Sequence, residues 1–342
     1  MKSWQKSSIR INRPKRAAVL LSLALLTLLI AILSLGLGAV PISPLHVLRA
    51  LLGGGEDTVQ RRIVLYVYLP RTCGGLLAGM ALAVSGAVIQ SVLANPLAAP
   101  NIIGVNAGAG LMTALCCALA PKALVLTPIA AFLGAMGGVF LVLSIAERTG
   151  AARITLVLAG AAVSNMFGAG VDAVLTFFPD SLSGYSDFRI GGLSNLTMAR
   201  IIPAFWVALA AFLILLSLCG EMDVLALGLE TAQSLGLSAR PLRLLLLTLA
   251  AALAGAAVSF AGLLGFVGLL VPHIMRRLVG EESLPLLLGC ALGGAAMLTG
   301  CDLLARLLFA PYVLPVGIVL SLLGGPFFIW LLLRQRGGRI HD

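Results

Sequence analysis

The segment from Thr72 to Pro121 contains no Asp, Glu, Lys, Arg or His, and this absence constrains the fold more than any other feature of the chain. The segment consists of two apolar runs, each long enough to cross a bilayer, separated by ANPLAAPN with its two prolines. A charge at the bilayer centre costs about 2.5 to 3.5 kcal/mol on insertion scales, so such runs are expected to lack charge. The pattern predicts two membrane-spanning helices that meet near Pro96–Pro100.

The composition of the whole chain also indicates a membrane protein. Among its 342 residues 60% are hydrophobic and 11% are charged, and the mean hydropathy is +1.08. An ordinary soluble domain has roughly a quarter of its residues charged. At about 20 apolar residues per crossing, the length allows about ten helices with short connections. We expect an all-α polytopic membrane protein with about ten transmembrane helices in one bundle.

The first apolar run, residues 17–40, follows a basic tail and so looks at first like a signal peptide. It is longer than the apolar region of about 7 to 15 residues in signal peptides, and we interpret it as an uncleaved first helix with a cytoplasmic N-terminus. Even crossings then place both tails, 1–16 and 335–342, in the cytoplasm, on either side of a transmembrane domain over 17–334. Most Lys and Arg residues fall on the cytoplasmic side, as the positive-inside rule requires. The later crossings are expected at 70–93, 102–119, 124–146, 154–177, 201–219, 241–262, a short run ending near 277, 284–304 and 316–333.

The net charge of +10 does not indicate nucleic-acid binding, because the basic residues cluster at helix ends instead of forming a stripe with interleaved aromatic residues. The cysteines lie in or beside apolar runs and lack the C-x-x-C spacing of a zinc site. We interpret them as small buried hydrophobic residues. They are Cys73, Cys116, Cys117, Cys219, Cys290 and Cys301.

Polar residues inside the predicted spans are candidates for function, because each needs a partner in a medium without water. They could bond to neighbouring helices or line a pathway, and the residues themselves leave both readings open. Asp172 is an intramembrane carboxylate that could be a functional site or could simply reach interfacial water. The candidates are Ser85, Gln90, Asn95, Asn101, Asn106, Asn165 and Asp172.

The segment Gly220–Arg240 is the longest hydrophilic interruption on the predicted cytoplasmic side, and it is patterned. An apolar stripe recurs in it at helical spacing, while Gly228 and Gly236 are placed to end helices. The pattern predicts two short amphipathic helices. Since a simple connection needs no apolar stripe, we interpret the segment as a docking surface for a cytoplasmic partner. The stripe consists of Leu225, Leu229, Ala232 and Leu235.

Three smaller patterns give further expectations. Small residues every four positions, such as Gly75 and Gly79, predict close helix packing. Asp302 precedes Arg306 by four residues, which suits an ion pair worth a few tenths of a kcal/mol if it is exposed. His273, next to Pro272 at the inner boundary, is interpreted as structural and not catalytic.

The motifs of familiar chemistry are missing from the sequence. It contains no H-E-x-x-H, no metal-ligand spacing and no paired catalytic carboxylates. The phosphate-binding motif G-x-x-x-x-G-K-[ST] is excluded because none of the lysines follows a glycine. If ATP drives this protein, another subunit binds it.

Three long motifs resemble the FecCD permeases, the membrane subunits of ATP-binding-cassette importers for iron siderophores, haem and cobalamin. They are LPRTCGGLLAGMALAVSGAVIQSVLANPLAAPNIIGVNAGA, LGFVGLLVPHIMRRLVG and DLLARLLFAPYVLPVGIVLSLLGGPFFIWLLL. The resemblance covers the second crossing through to the C-terminus. It implies ten helices, a homodimer or a pair with a related permease, two cytoplasmic ATPases that bind ATP and Mg, and an extracytoplasmic binding protein or lipoprotein. No cofactor is implied in this chain, which would lie in the cytoplasmic membrane of a bacterium.

The resemblance also implies roles for single residues. Asn95 and Leu97 fall where the family narrows the cytoplasmic end of its pathway, and the segment 220–240, including Gly236, matches the coupling helices. Arg71 and Arg306 match external arginines that pair with glutamates of the binding protein. The sequence departs from the family at Tyr68, often an arginine, so docking could depend more on Arg61, Arg62 or aromatic contact.

Two other functional classes remain open at this point. An ion-coupled secondary transporter would also be polytopic, and Asp172 is its best coupling carboxylate. A membrane-embedded enzyme is a weaker alternative. An iron(III)-siderophore is the favoured cargo within the resemblance, with haem or cobalamin as alternatives.

Overall fold

A computed structural model of the chain describes residues 13–38, 40–53, 58–149, 153–308 and 312–336. These residues form helices and turns without a β-strand, so the described fold is all-α, as predicted. "Outer" and "inner" below refer to the orientation predicted from the charge distribution. The α-helices are α1 (Arg13–Gly36), α2 (Pro44–Leu51), α3 (Val59–Ile63), α4 (Leu69–Leu93), α5 (Val105–Leu119), α6 (Thr127–Arg148), α7 (Arg153–Phe177), α8 (Leu182–Ile190), α9 (Met198–Ser217), α10 (Cys219–Ala226), α11 (Leu229–Ser234), α12 (Ala239–Ala261), α13 (Val267–Val279), α14 (Ser283–Leu308) and α15 (Val316–Arg336).

A helix lies at each of the ten predicted crossings. Seven stretches of the described residues are helical, long enough and apolar enough to span a membrane: α1, the continuous helix Val59–Leu93, α6, α7, α9, α12 and α14. Helices α5, α13 and α15 occupy the other three predicted positions. The chain is thus a polytopic membrane protein, while the count of ten crossings and the cytoplasmic location of the termini stay predictions. The segments 1–12 and 337–342, which contain most of the two predicted tails, lie outside the described residues.

Helix α4 is the centre of the bundle, because nearly all of its middle is buried. It packs against α14, α12 and α13. A Cβ added to Gly79 would collide with the carbonyl oxygen of Gly294, and one added to Gly134 on α6 would collide with that of Gly108 on α5. The small residues therefore allow backbone-to-backbone approach, as their spacing predicted.

The second crossing begins earlier than its sequence suggests. Thr58 caps α3 by accepting a hydrogen bond from the Arg61 amide at 3.3 Å, and a π-helical turn over Val64–Tyr68 joins α3 to α4. The widened turn accommodates Pro70, which has no N–H to donate to the preceding turn. Residues 41–69 were expected to form an external loop with a short helical piece, and Arg61 and Arg62 in fact lie in a helical extension of α4.

The outer connection between α7 and α9, residues 178–200, was expected to be an external loop, but helix α8 forms within it. Tyr185 and Phe188 are buried three residues apart on one face of α8. Three backbone hydrogen bonds tie this region to the outer ends of other helices. They run from the Leu263 amide to the Phe188 carbonyl at 2.9 Å, from the Gly192 amide to the Ala261 carbonyl at 2.9 Å, and from the Gly317 amide to the Gly191 carbonyl at 3.2 Å.

Phe266, in the turn between α12 and α13, has the strained backbone angle φ = 67°. Positive φ is rare for a bulky residue and persists only where the surroundings fix it. Its ring fills the space beside Gly324 on α15, where an added Cβ would collide with it. The turn between α12 and α13 is thereby packed against α15.

Candidate functional site

A buried charged cluster lies at the outer ends of α4 and α14. Arg71 binds Asp302 in a bidentate manner, with its Nε 2.8 Å from Oδ2 and its terminal nitrogen 2.8 Å from Oδ1. Arg306 lies one turn along α14, with its Nε 3.2 Å from Asp302 Oδ2. The exposed fractions are only 5% for Arg71, 1% for Asp302 and 4% for Arg306. Two positive charges thus share one negative charge inside the bundle.

Polar groups of two further segments support this cluster. Ser34 of α1 accepts hydrogen bonds from Arg306 through Oγ at 2.6 Å and through its carbonyl oxygen at 3.3 Å. Ser34 Oγ also lies 2.7 Å from Thr72 Oγ1. The Arg306 guanidinium carbon lies 5.6 Å from the centre of the Tyr68 ring, within the range of a cation–π contact.

These contacts confirm one expectation and correct another. The spacing of Asp302 and Arg306 does give an ion pair, but the pair is buried, because α1 and α4 cover it. Arg71 and Arg306 are likewise not free at the outer surface, because Asp302 holds both guanidinium groups inside. A buried group of this kind is costly to break, at about 3–5 kcal/mol when one partner is removed.

Tyr68 has a structural position where the resembling family often carries an arginine. Its hydroxyl donates to the Val40 carbonyl at 2.9 Å and accepts from the Val40 amide at 3.2 Å. The buried ring therefore fastens the connection after α1 to the start of α4.

The inner end of α4 carries the predicted constriction residues in a defined turn. Ala94 has φ = 44°, and the amides of Ala94 and Asn95 donate to the carbonyls of Ser91 and Gln90 at 3.2 and 3.1 Å, which is a Schellman motif. The Asn95 side-chain oxygen then accepts from the Leu97 amide at 3.0 Å. Asn95 and Leu97 are half-buried neighbours in this turn.

Helix α13 binds this end of α4 through one arginine that the sequence analysis did not single out. Arg276 donates to Gln90 Oε1, to the Ala87 carbonyl at 3.4 Å and to Ser91 Oγ at 3.3 Å. Gln90 in turn donates to the Gly268 carbonyl at 3.2 Å. Gln90 is therefore an interhelical residue, and a cation near the last carbonyls of α4 is favourable.

The segment 220–240 forms the two predicted short helices, α10 and α11. Gly228 and Gly236 have φ = 115° and 84° and lie at the ends of these helices, as predicted. The amides of Gly236 and Leu237 donate to the carbonyls of Gln233 and Ala232 at 2.9 and 3.0 Å, which closes α11 with a second Schellman motif.

The apolar stripe of this segment does not form a single free surface. Leu225 and Ala232 are buried against the rest of the chain, whereas Leu235 and Leu227 are each 65% exposed. The side chain of Leu229 lies outside the described part of the structure. Among the side chains of this segment that the structure describes, the exposed leucines lie directly after α10 and α11, whereas Leu225 and Ala232 fix the two helices to the bundle.

Two polar contacts at this inner face were missed because they join residues far apart in sequence. Asp223 of α10 accepts hydrogen bonds from the Ser283 amide at 2.8 Å and from Ser283 Oγ at 2.6 Å. Arg16 of α1 pairs with Glu282, the residue before α14. No local spacing could have indicated either contact.

The remaining predicted polar residues divide into two groups. Ser85 is buried and donates to the Ala250 carbonyl at 2.6 Å, so it bonds between helices, and Asn106 is half-buried. Asn165 and Asp172 on α7 are exposed in the isolated chain. Since an exposed carboxylate on a spanning helix is costly in lipid, this face of α7 is a candidate for a pathway or a subunit interface.

Among the described residues, no three or more His, Cys, Asp and Glu side chains are grouped to hold a metal ion. Cys117, Cys219, Cys290 and Cys301 are buried, whereas Cys73 and Cys116 are partly buried. His273 packs edge-on to Phe327, with ring centres 6.4 Å apart.

A cavity of about 370 Å³ at the outer end is lined by residues such as Asp187, Arg200 and Ser259.

The fold and these sites define an all-α, polytopic membrane protein whose central helix is fixed by charged groups at its outer end and by an arginine at its inner end. A family model described as the FecCD transport family matches residues 25–334. The chain belongs to this family.

Relatives and a solved structure agree with this assignment. The chain is 37% identical to the hemin transport system permease protein HmuU of Yersinia pestis, over 93% of this chain and 97% of that protein. It is 36% identical to the Fe(3+) dicitrate transport system permease protein FecD of Escherichia coli strain K12, over 90% and 95%. A solved metal-chelate type ABC transporter in an inward-facing conformation matches with a TM-score of 0.83 and 30% identity, over 93% of this chain and 99% of that one.

Proposed function

We propose that this chain is the membrane-spanning permease subunit of an ATP-binding-cassette importer, and that it carries an iron(III)-siderophore across the cytoplasmic membrane of a bacterium. The observation that carries the proposal is the pair of short helices α10 and α11. They lie between two predicted spans of a chain that has no nucleotide-binding motif of its own. On this proposal a partner supplies the energy, and the two short helices are the place where that partner binds.

Two cytoplasmic ATPase subunits would bind ATP and Mg and contact the segment 220–240. The exposed Leu227 and Leu235 suit this contact, because exposed leucines on a hydrophilic segment gain from burial against a partner. The buried Leu225 and Ala232 would hold the segment rigidly to the bundle, so that force applied at its tips reaches the helices.

A second copy of the chain, or a related permease, would cover α7. Asn165 and Asp172 would then face a shared pathway instead of lipid, which removes the cost of an exposed carboxylate. The turn with Asn95 and Leu97 would narrow the inner end of this pathway.

An extracytoplasmic binding protein would deliver the chelate to the outer face. Arg71 and Arg306 would support docking indirectly, because their pairing with Asp302 fixes the outer end of α4. The helical extension of α4 presents the exposed Arg62 and Tyr66, which would make the direct contacts.

Haem is the second candidate cargo, because the hemin permease of Yersinia pestis is 37% identical. Cobalamin is a further alternative within the resemblance. Vesicles that contain the chain with its ATPases and binding protein can be given a ferric siderophore, hemin, ferric citrate and cobalamin in turn. We expect accumulation of the ferric siderophore, and preferential accumulation of hemin would instead favour the second candidate.

The energy source is tested with the same vesicles. We expect accumulation only with ATP and Mg inside and both partner proteins present. If the chain alone accumulated the chelate against a gradient without an ATPase, the proposed function would be wrong, and an ion-coupled transporter would replace it.

A further inference from the structure

The inner ends of α1, α10 and α14 meet at one short turn, Gly280–Ser283. Ser283 is buried and begins α14, and its amide and hydroxyl both donate to a single oxygen of Asp223, at 2.8 and 2.6 Å. The first amides of a helix have no partner within the helix, and a carboxylate there also benefits from the helix dipole. Asp223 therefore completes the N-terminus of α14 from a different helix.

The same turn is held from its other side. Glu282 pairs with Arg16 of α1, and Gly280 has φ = 92°, a conformation that glycine adopts without strain. The turn is thus fixed to α1 and to α10. It also connects the end of α13 to the start of α14.

Helix α13 extends these contacts to the predicted constriction. Arg276, near the end of α13, donates to Gln90 and Ser91 on the last turn of α4. The next residues of α4 lead directly into the turn of Asn95 and Leu97. Continuous contacts therefore connect α10, the turn 280–283, α13 and the inner end of α4.

We propose that Asp223 is the positioning residue that transmits movement of the α10–α11 segment to the turn 280–283, and through it to the Asn95–Leu97 constriction. The inference rests on the proposed function, because it assumes that an ATPase moves the segment. Asp223 itself is exposed, whereas the buried residues Met222 and Leu225 of α10 are apolar. Apolar contacts are not directional, whereas hydrogen bonds to a charged acceptor resist both pulling and sliding.

The test compares Asp223→Ala with Asp223→Asn in vesicles that hold the complete complex, with ATP hydrolysis and chelate uptake measured together. Asparagine keeps an oxygen that can accept from Ser283, whereas alanine does not. We expect Asp223→Ala to hydrolyse ATP but to import about tenfold less chelate per ATP, and Asp223→Asn to stay within about threefold of the unchanged protein. Glu221→Ala on the same helix is the matched control, because no hydrogen bond or ion pair of Glu221 is found within the described residues.

Ser283→Ala gives a second measurement, because it removes one of the two donors and leaves the backbone contact. We expect this variant to import about two- to fivefold less chelate per ATP. If Asp223→Ala imports as much chelate per ATP as the unchanged protein, the inference is overturned. If Asp223→Ala does not assemble with the ATPases, an unchanged amount of chelate per ATP in Ser283→Ala overturns the inference instead. Failure of the proposed function looks different, since the unchanged protein would then show no ATP-dependent uptake.

Discussion

At the scale of single residues, Asp302 offers the sharpest test, because its carboxylate balances the charge of two buried guanidinium groups. Asp302→Asn keeps the shape but leaves both arginines without an opposite charge, which costs about 3–5 kcal/mol. We expect a clear fall in the melting temperature of the purified chain in detergent. Asp180→Asn, at an exposed outer position, is the control. Equal melting temperatures for the two variants would show that the cluster does not depend on charge.

Ala94 permits a test in which the substitution is expected to raise stability instead of lowering it. It is exposed and has φ = 44°, a left-handed conformation that costs a residue with a Cβ roughly 1 kcal/mol or more. Ala94→Gly is therefore expected to stabilise the chain by about that amount. Ala210→Gly, at an exposed position inside α9, should destabilise it by about 1 kcal/mol. A loss of stability in Ala94→Gly as large as that in Ala210→Gly would contradict the assignment of this turn.

Cys219, at the start of α10, should react slowly with thiol reagents. Burial, together with the negative charges of Asp223 and Glu221, raises the pKa of this thiol to about 11. Below this pKa the thiol stays protonated, so the rate of maleimide labelling should rise with pH throughout the range from 7 to 10. The measurement uses a variant in which only Cys219 remains. Asp223→Asn should lower the pKa of Cys219 and speed its labelling at a fixed pH. An unchanged labelling rate would show that Asp223 does not act on this thiol.

The limits of sequence reasoning are clear from these residues. The four-residue spacing of Asp302 and Arg306 predicts a pair, because helix geometry brings such positions together. It does not reveal that Arg71 completes the cluster, since that contact depends on how α4 and α14 pack. The pairing of Asp223 with Ser283 was missed for the same reason. Exposure was predicted wrongly for Arg71 and Arg306, because burial of a charge requires a partner that only the fold supplies.

At the scale of helices, the close contact of α4 and α14 depends on Gly79 and Gly294. Gly79→Ala would place a methyl group against a backbone carbonyl that cannot move without shifting α14. We expect a loss of about 1–3 kcal/mol in thermal or denaturant unfolding. Gly137→Ala on α6, where an added Cβ meets no atom within 4 Å, should be neutral or stabilising by up to about 1 kcal/mol. Equal losses in the two variants would mean that α4 and α14 can separate at little cost.

Sequence reasoning is most successful at this scale. Apolar length and charge locate a helix at every expected crossing, because a spanning segment must satisfy its own backbone groups. The two short helices of the segment 220–240 also form, with Gly228 between them and Gly236 after the second. Helix α8 lies where a loop was expected, and the extension of α4 back to Val59 is longer than the short helical piece expected in that loop. Both are stabilised by contacts such as those of Phe188 and Tyr68 with distant residues, which a local pattern does not contain.

At the scale of the whole molecule, Asp172 distinguishes two kinds of transporter. In an ATP-driven importer its charge only faces the pathway or a partner subunit, so Asp172→Asn should retain uptake within about twofold. In an ion-coupled transporter the carboxylate must bind and release the coupling ion, and the same change should abolish uptake. Uptake by the reconstituted complex provides the measurement. Abolished uptake in Asp172→Asn would support the second mechanism.

The three backbone hydrogen bonds between Phe188–Gly192, Ala261–Leu263 and Gly317 have a consequence for any such movement. They join stretches from the middle and from the last third of the chain on the outer side of the bundle. A displacement of α8 must therefore be shared by the ends of α12 and α15. We therefore expect the outer ends of α8, α12 and α15 to move together. A bulky replacement of Gly317 on α15 should change the signal of a spin label on α8.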